Sequence, residues 1–330
     1  MEERRSQQPG HRQGGSRHGT VRSRRFRRTR AAALAVCAAA LVAALGAGVH
    51  SAAQALSAPA SQTATQSGSN AAASAPAAVA ALPASAAATP AARARGAIDA
   101  ELDAQINSIL DANSEYQIGV ALVDLSAGAD PATSGHDYGV QAAFAAASTA
   151  KVLAAEAYYH LVETGAASLD DRLGAYTAEF QLQEMIQQSD NDSWSLIMDA
   201  VGHAELTDYA ASIGVDYAAD TNTLTAAEMA RVLAGLYSGT LLEPGNTAQL
   251  LGYMQDTNYE SLIPSAVPAG VTVFHKYGLL GGELHDAGIL AKDGKAYALV
   301  IYTKAEGLGS VPQRTEVIQQ LTATVADALF

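Results

Sequence analysis

Residues 271–303 read VTVFHKYGLLGGELHDAGILAKDGKAYALVIYT and contain three strand-like runs joined by short links. The runs cover residues 271–277, 283–291 and 295–303. Neighbouring strands with links this short pair antiparallel, because a parallel pair needs a long crossover connection. The stretch therefore predicts an antiparallel sheet in the last third of the chain.

Helical spacing of apolar residues occurs on both sides of these strands. Long helical patterns cover 100–112, 148–163 and 314–329, shorter ones fall within 178–256, and further strand patterns cover 116–125 and 137–141. The sequence therefore predicts an α+β fold. Its antiparallel five-stranded sheet would be flanked by the N- and C-terminal helices, with a helical subdomain formed by the middle of the chain.

The formal net charge of −13 is divided unevenly along the chain. Residues 1–30 carry ten Arg and two Glu, whereas residues 56–330 carry ten basic and 31 acidic residues. A basic start, an uncharged apolar run at 31–49 and the small residues around 53–55 are typical of a secretory signal. The apolar run is also long enough for an uncleaved anchor. We therefore expect residues 1–55 to be a signal peptide or signal anchor, and the protein to be secreted or associated with the cell envelope.

Residues 56–97 are rich in Ala, Ser and Pro and predict a disordered linker, which leaves 98–330 as the folded domain. The acidic balance of this domain argues against nucleic-acid binding. Cys37 is the only cysteine, which excludes a disulfide scaffold and a multi-cysteine metal site. The histidines show no ligand spacing, so we expect no metal and no cofactor. We also expect a monomer that contacts a membrane only through an uncleaved N-terminal segment.

The first chemical motif is Ser148-Thr149-Ala150-Lys151, at the start of the helical pattern at 148–163. In a helix Lys151 would share a face with Ser148. A serine hydroxyl is a weak nucleophile until a base removes its proton, and a desolvated lysine can be that base. The structural alternative is that Ser148 caps the helix and Lys151 is solvated.

Two further motifs follow in order along the chain. Ser189-Asp190-Asn191 lies between predicted helices, where Ser189 could relay a proton, Asn191 could bind a carbonyl and Asp190 could hold the turn; ordinary turn chemistry is the alternative. Lys276-Tyr277-Gly278 lies at a strand end. Here Lys276 could attract a carboxylate, and Gly278 could let substrate backbone approach. The N–H groups of Leu279 and Ser148 could form an oxyanion hole.

This ordered set, S-x-x-K, S-D-N and K-x-G, resembles the active-site serine β-lactamases of class A and the penicillin-binding D,D-peptidases. The resemblance covers about 98–330 and extends to FAAASTAKVL (144–153), DTNTLTAAEMARVLAGL (220–236) and DGKAYALVIYT (293–303). It implies that Ser148 is the acylated nucleophile and Lys151 its base. It also implies that Ser189 is the proton relay, Asn191 the acyl-amide ligand and Lys276 the electrostatic partner. Asp220 would close the omega loop as a structural residue.

The chain departs from the family pattern in two places. Tyr277 stands where Thr or Ser is usual, which alters the recognition of a substrate carboxylate. The omega-loop segment, about 213–221, contains Asp216 and Asp220 but no glutamate, and Glu228 has capping-box spacing from Thr225. Without a positioned base, deacylation should be slower by on the order of 10²–10⁴-fold. Asp216 could replace the base, although its side chain is short.

His285 and Asp286 also form a conspicuous pair. Adjacent residues of a strand point to opposite faces, so these two cannot form a catalytic relay with each other. One of them could line the rim of the site while the other faces the core or solvent, but a structural role is the favoured interpretation.

Two classes of function are compatible with the sequence. The first is a secreted serine hydrolase that forms an acyl-enzyme on Ser148, with a β-lactam or a peptidoglycan stem peptide as the small-molecule substrate. Hydrolysis of β-lactams and D,D-peptidase action both remain open within this class. The second is a wall-tethered binding module that retains the fold without turnover.

Overall fold

The computed structural model describes residues 98–126 and 134–330. The predicted signal segment and linker lie outside these residues.

Eight α-helices occur in the described residues: α1 (Ala100–Ala112), α2 (Lys151–Glu163), α3 (Ala178–Gln187), α4 (Asn191–Val201), α5 (His203–Ser212), α6 (Ala226–Tyr237), α7 (Pro244–Tyr253) and α8 (Val311–Leu329). The same residues contain nine strands: β1 (Gln117–Asp124), β2 (Gly135–Gly139), β3 (Phe144–Ala145), β4 (Arg172–Leu173), β5 (Tyr176–Thr177), β6 (Thr223–Leu224), β7 (Thr272–Leu280), β8 (Glu283–Lys292) and β9 (Lys295–Lys304). Two 3₁₀ helices cover Ala147–Ala150 and Ile263–Ala266.

Five strands form one antiparallel sheet in the order β2-β1-β9-β8-β7. This arrangement confirms the predicted five-stranded antiparallel sheet and the α+β class. Strand β7, which carries the third motif, is an edge strand. Its outer backbone groups are therefore free of sheet pairing.

The two faces of the sheet pack against different helices. One face contributes Leu122 and Leu299 to a core that includes Leu102 of α1 and Leu321 of α8. The opposite face contributes small residues such as Ala298 to a second core formed with the middle helices. This division follows from the alternation of side chains along each strand.

Helix α2 lies at the centre of the helical layer. Its residues Lys151 to Tyr159 are all buried, although the run contains two charged side chains. The helix ends at the C-cap Thr164, and Gly165 follows with a φ of 77°. A left-handed residue at this position is easily accommodated by glycine, which agrees with the predicted helix end. The helix therefore carries the first motif from the edge of the sheet into the protein interior.

In the described part of the chain, no helix has the length and apolar character needed to cross a bilayer.

Candidate active site

Ser148 lies in the 3₁₀ turn Ala147–Ala150, which continues directly into α2. The chain enters this turn through Ala147, whose φ of 50° is uncommon for a residue other than glycine. The cap position is Ala146, and no side chain caps the turn. Ser148 is therefore not a helix cap. Its half-buried hydroxyl forms no hydrogen bond with the described residues, which leaves the oxygen available for chemistry.

Asn222, which directly precedes β6, holds the turn that contains Ser148. The N–H of Ala146 donates to the carbonyl of Asn222 at 2.8 Å, and Nδ2 of Asn222 donates to the carbonyl of Ala147 at 3.0 Å. The Tyr217 hydroxyl donates to Oδ1 of Asn222 at 3.0 Å. Sequence analysis did not identify Asn222, because its function depends on contact with a residue 75 positions away.

His285 supports the same turn from the sheet. Its Nε2 donates to the carbonyl of Ala145 at 2.9 Å, and its Nδ1 accepts from the N–H of Thr303 at 3.0 Å. Burial lowers the pKa of His285 to about 4, so the ring is neutral. The ring stacks on Tyr302, whose hydroxyl lies 2.6 Å from Oγ1 of Thr149. His285 thus lies beneath the turn that contains Ser148 and not at the rim of the site.

Lys151 points into the Ser189-Asp190-Asn191 turn. Its Nζ donates to the carbonyl of Ser189 at 2.7 Å, to Oδ1 of Asn191 at 2.8 Å and to the carbonyl of Asp190 at 3.2 Å, and lies 3.4 Å from Oγ of Ser189. Lys151 is 3% exposed, so it is not a solvated helix residue. Burial lowers the pKa of Lys151 to about 8, with Asp190 opposing the shift. A lysine with this pKa can accept and return a proton.

The Ser189-Asp190-Asn191 turn joins α3 to α4. Ser189 has a φ of 56°, and the Asp190 carboxylate accepts from the N–H of Ser193 at 2.7 Å, which caps α4. Asp190 therefore holds the turn. Asn191 is exposed, and because Lys151 holds its side-chain oxygen, its amide nitrogen faces away from the lysine.

At Gly278, strand β7 passes close to the turn that contains Ser148. A Cβ at Gly278 would lie 3.1 Å from the backbone nitrogen of Ser148 and 3.2 Å from the carbonyl oxygen of Ala146. The absence of a side chain therefore permits this approach of the two backbone segments. Because Leu279 directly follows Gly278, its backbone lies beside that of Ser148.

Lys276 is fully buried on β7. Its Nζ donates to the carbonyl of Tyr277 at 3.0 Å and lies 4.1 Å from the centroid of the Tyr277 ring. Burial and then the positive charge of Lys151 lower the pKa of Lys276 well below its usual value, while Asp286 opposes the shift. The structure thus brings the two motif lysines into electrostatic contact.

Tyr277 is half-buried beside the second motif. Its ring packs against Tyr259 with the centroids 4.8 Å apart and the ring planes tilted by 35°. Its hydroxyl lies beside the side chains of Ser189 and Asn258. The phenol of Tyr277 is therefore a neighbour of Ser189, whereas the ammonium of Lys276 bonds to the Tyr277 carbonyl.

Asp286 pairs with His275 across β7 and β8. Nδ1 of His275 lies 2.9 Å from Oδ1 of Asp286, and Nε2 lies 3.1 Å from Oε1 of Glu260. Burial alone would lower the pKa of His275, but Asp286 and Glu260 outweigh it and raise the pKa to about 9. The favoured structural role of His285 and Asp286 agrees with the structure, and the alternative that one of them lines the rim is wrong, because both side chains are fully buried. Each satisfies a buried polar partner instead.

Among residues 98–126 and 134–330, no group of three or more His, Cys, Asp or Glu residues is arranged to hold a metal ion.

The sequence matches the model of the β-lactamase enzyme family over residues 101–181 and 173–329. These ranges span well over half of the chain and include all three motifs. The chain belongs to the β-lactamase enzyme family. Its identification from the sequence as a serine hydrolase related to the class A β-lactamases is thereby confirmed.

Solved structures of this family resemble the domain. A point mutant of PBP-A, in an acyl-enzyme complex with penicillin G, is 26% identical with a TM-score of 0.63, covering 69% of this chain and 96% of that one. A variant of the last common ancestor of Gram-negative class A β-lactamases is 23% identical with a TM-score of 0.61, covering 69% and 97%. A β-lactamase from Xanthomonas campestris is 20% identical with a TM-score of 0.61, covering 69% and 97%. Curated protein sequences yield no match.

In this β-lactamase family member, the described segment between α5 and β6 contributes no carboxylate that is bonded to Ser148. Asp216 is exposed, and its backbone N–H donates to Oε1 of Glu228 at 3.2 Å. Glu228 also completes the predicted capping box with Thr225. Asp220 is exposed, and its side chain forms no hydrogen bond with the described residues, so the structural contact of this segment is made by Asn222 instead.

Proposed function

We propose that this chain forms an acyl-enzyme on Ser148 with β-lactam or acyl-D-alanyl amide bonds and releases the acyl group slowly. The observation that carries the proposal is the placement of Lys151. Its buried ammonium binds Ser189 and Asn191 at one helix turn from an unbonded serine hydroxyl. A pure binding module would gain nothing from a lysine held in this state.

Acylation begins at the Ser148 hydroxyl. Oγ of Ser148 attacks the substrate carbonyl carbon while its proton passes to neutral Lys151. The proton then moves through Oγ of Ser189, which lies 3.4 Å from Lys151, to the leaving nitrogen as the amide bond breaks. Asn191 is exposed and can donate its amide N–H to the acyl group of the substrate.

The carbonyl oxygen gains negative charge during this step. The N–H groups of Ser148 and Leu279 lie on adjacent backbone segments because Gly278 permits their approach. Two such donors aimed at one oxygen stabilise the tetrahedral intermediate.

Deacylation lacks an evident general base. The acids of the segment between α5 and β6 are exposed or committed to the capping box, and Asn222 uses both side-chain atoms to hold the segment. Water attack without a positioned base should be slower by on the order of 10²–10⁴-fold. This favours a D,D-peptidase-like enzyme, or a poor β-lactamase, over efficient β-lactam hydrolysis.

Intact-mass spectrometry of the full chain tests this function. The protein is incubated for hours with excess benzylpenicillin and, separately, with a neutral para-nitrophenyl ester. We expect one long-lived adduct that peptide mapping places on Ser148. The variant Ser148→Ala should form none, whereas Ser108→Ala, which alters an exposed serine on α1, should react as the parent does. The acyl-serine proposal fails if neither reagent modifies Ser148.

We further propose that residues 1–55 export the protein and that residues 56–97 connect a monomeric domain to the cell envelope. N-terminal sequencing of the exported protein tests this. A new N-terminus at Leu56 indicates cleavage, whereas an intact N-terminus in the membrane fraction indicates an anchor. Purely cytoplasmic protein would contradict both.

A further inference from the structure

Tyr277 engages both groups that could receive a negatively charged part of a substrate. Lys276 is fully buried, with Nζ bonded to the Tyr277 carbonyl and covered by the Tyr277 ring at 4.1 Å. The Tyr277 hydroxyl lies beside the side chain of Ser189. One residue thus covers the ammonium of Lys276 and lies next to the hydroxyl of Ser189.

Other contacts fix Tyr277 in this position. The ring packs against Tyr259 with the ring planes tilted by 35°, and the hydroxyl lies beside Asn258. Moving the ring to admit an anion would therefore break an aromatic contact and a cation–π contact together.

Lys151 does not provide a replacement for Lys276. Its ammonium has three N–H donors and already has four oxygens within 3.4 Å. The cations beside the β7–β8 turn have other partners. Lys304 pairs with Glu283 at 2.9 Å, and Nη1 of buried Arg314 donates to the carbonyl of Gly282 at 2.8 Å, while its Nη2 is buried without a partner among the described residues.

The surroundings of the site are apolar and acidic. Leu279 and Leu280, which follow Gly278 on β7, are 40% and 55% exposed. Glu260, which pairs with His275, and Asp192, which follows Asn191 in the sequence, are both exposed acids. These features favour an apolar group and repel a negative charge.

We propose that Tyr277 directs this site toward acyl donors that carry no carboxylate on the leaving-group side, namely neutral apolar esters or amides. The inference rests on the proposed acylation of Ser148 and narrows its substrates, because β-lactams and acyl-D-alanyl peptides with a free carboxylate would react more slowly than neutral acyl donors. With an ester, Oγ of Ser148 bonds to the carbonyl carbon and the carbon–oxygen bond to the leaving group breaks. The Ser148 proton passes through Lys151 and Ser189 to the departing alkoxide. Tyr277 acts as a specificity-determining residue that excludes anions.

Benzylpenicillin and its methyl ester form a matched pair of probes, because they differ only in the charge and the methyl group of one carboxyl. Stopped-flow or mass-based acylation rates of the full chain are measured for both. We expect the methyl ester to acylate Ser148 at least as fast as benzylpenicillin. In Tyr277→Thr the benzylpenicillin rate should rise by about tenfold or more, with the methyl ester rate changing far less. Tyr277→Phe, which keeps the ring over Lys276, should give a smaller rise.

Tyr176→Thr is the matched control, because Tyr176 is an exposed tyrosine on β5, and it should leave both rates unchanged. Comparison of the two probes on the unmodified chain needs no variant, so a misfolded Tyr277 variant does not remove the test. The inference is overturned if benzylpenicillin reacts much faster than its methyl ester. No adduct on Ser148 from either probe or from the para-nitrophenyl ester would instead refute the acyl-serine function itself.

Discussion

The two lysines of the site occupy opposite kinds of surroundings. Lys151 has four oxygen atoms around its ammonium, drawn from three consecutive residues of one turn. Lys276 has one carbonyl and the face of an aromatic ring. Both side chains are buried, and burial is the largest cause of the lowered pKa in each case.

The difference separates a group that exchanges protons from one that shapes the site. Lys151 has a pKa of about 8, lies one helix turn after Ser148 in the sequence, and has the Ser189 hydroxyl 3.4 Å from its Nζ. Among the described residues, Nζ of Lys276 has the Tyr277 carbonyl as its hydrogen-bond acceptor and no hydroxyl. We therefore propose that, of the two lysines, Lys151 is the one that takes part in proton transfer.

Replacing each lysine by methionine should lower the acylation rate by very different factors. In Lys151→Met we expect acylation to fall by about 10²–10⁴-fold, because the base for Ser148 is lost. In Lys276→Met we expect a loss of about tenfold or less, because the apolar side chain fits beneath Tyr277. Acylation rates of both variants with the para-nitrophenyl ester provide the measurement. Equal losses would contradict the division of roles, and thermal unfolding of both proteins checks that each is folded.

The pH dependence of acylation should identify the titrating lysine. Only neutral Lys151 accepts the Ser148 proton, so below a pKa of about 8 the rate should fall tenfold per pH unit. Between pH 6 and pH 8 the rise amounts to about fiftyfold, and a plateau about twofold higher follows above pH 9. The measurement is the acylation rate at saturating neutral ester across this range. In Lys276→Met the inflection should remain near pH 8, and a flat profile in the parent would rule out lysine as the base.

The fold could be predicted because its signals are local. Helix α1 has apolar residues at helical spacing, the capping box before α6 lies within four residues, and Gly165 marks the end of α2. Each of the first two motifs is a contiguous stretch of sequence. The second was predicted to lie between two helices, and it does form the turn between α3 and α4. The short strands β3 and β6 were not predicted, because two residues are too few to show any periodicity.

The sheet side of the site could not be predicted from adjacency alone. Adjacency in the sequence pairs Asp286 with His285, but the ion pair of Asp286 forms with His275 on strand β7. Its detection requires the register of the β7–β8 hairpin, in which Tyr277 opposes Asp286. The Gly281-Gly282 turn was a usable signal for that register, since it pairs the residues on either side of it. Tyr277 lies on the sheet and Ser189 lies between two helices of the middle of the chain, so no local sequence pattern indicates that they are neighbours.

The neighbourhood of Lys276 should also be visible in stability. The pKa of His275 is raised from 6.5 to about 9, so its contribution to stability is complete below pH 6.5 and is lost as the pH rises through about 9. We expect the parent to lose about 1–3 kcal/mol of unfolding free energy over this range. In His275→Asn this loss should disappear, because an amide can bond to Asp286 without titrating.

Urea unfolding at pH 6 and pH 9.5 measures the effect as the difference between parent and variant. His203→Asn, which replaces an exposed histidine at the start of α5, should retain the parent's pH dependence. Parallel stability profiles for His275→Asn and the parent would show that a charged His275 does not contribute to stability. Asp286 would then face Lys276 without a competing cation, and the contrast between the two lysines would be smaller than the geometry indicates. A profile that flattens only in His275→Asn would instead show that charged His275 shares Asp286 with Lys276, which limits how far Asp286 offsets the effect of burial on the pKa of Lys276.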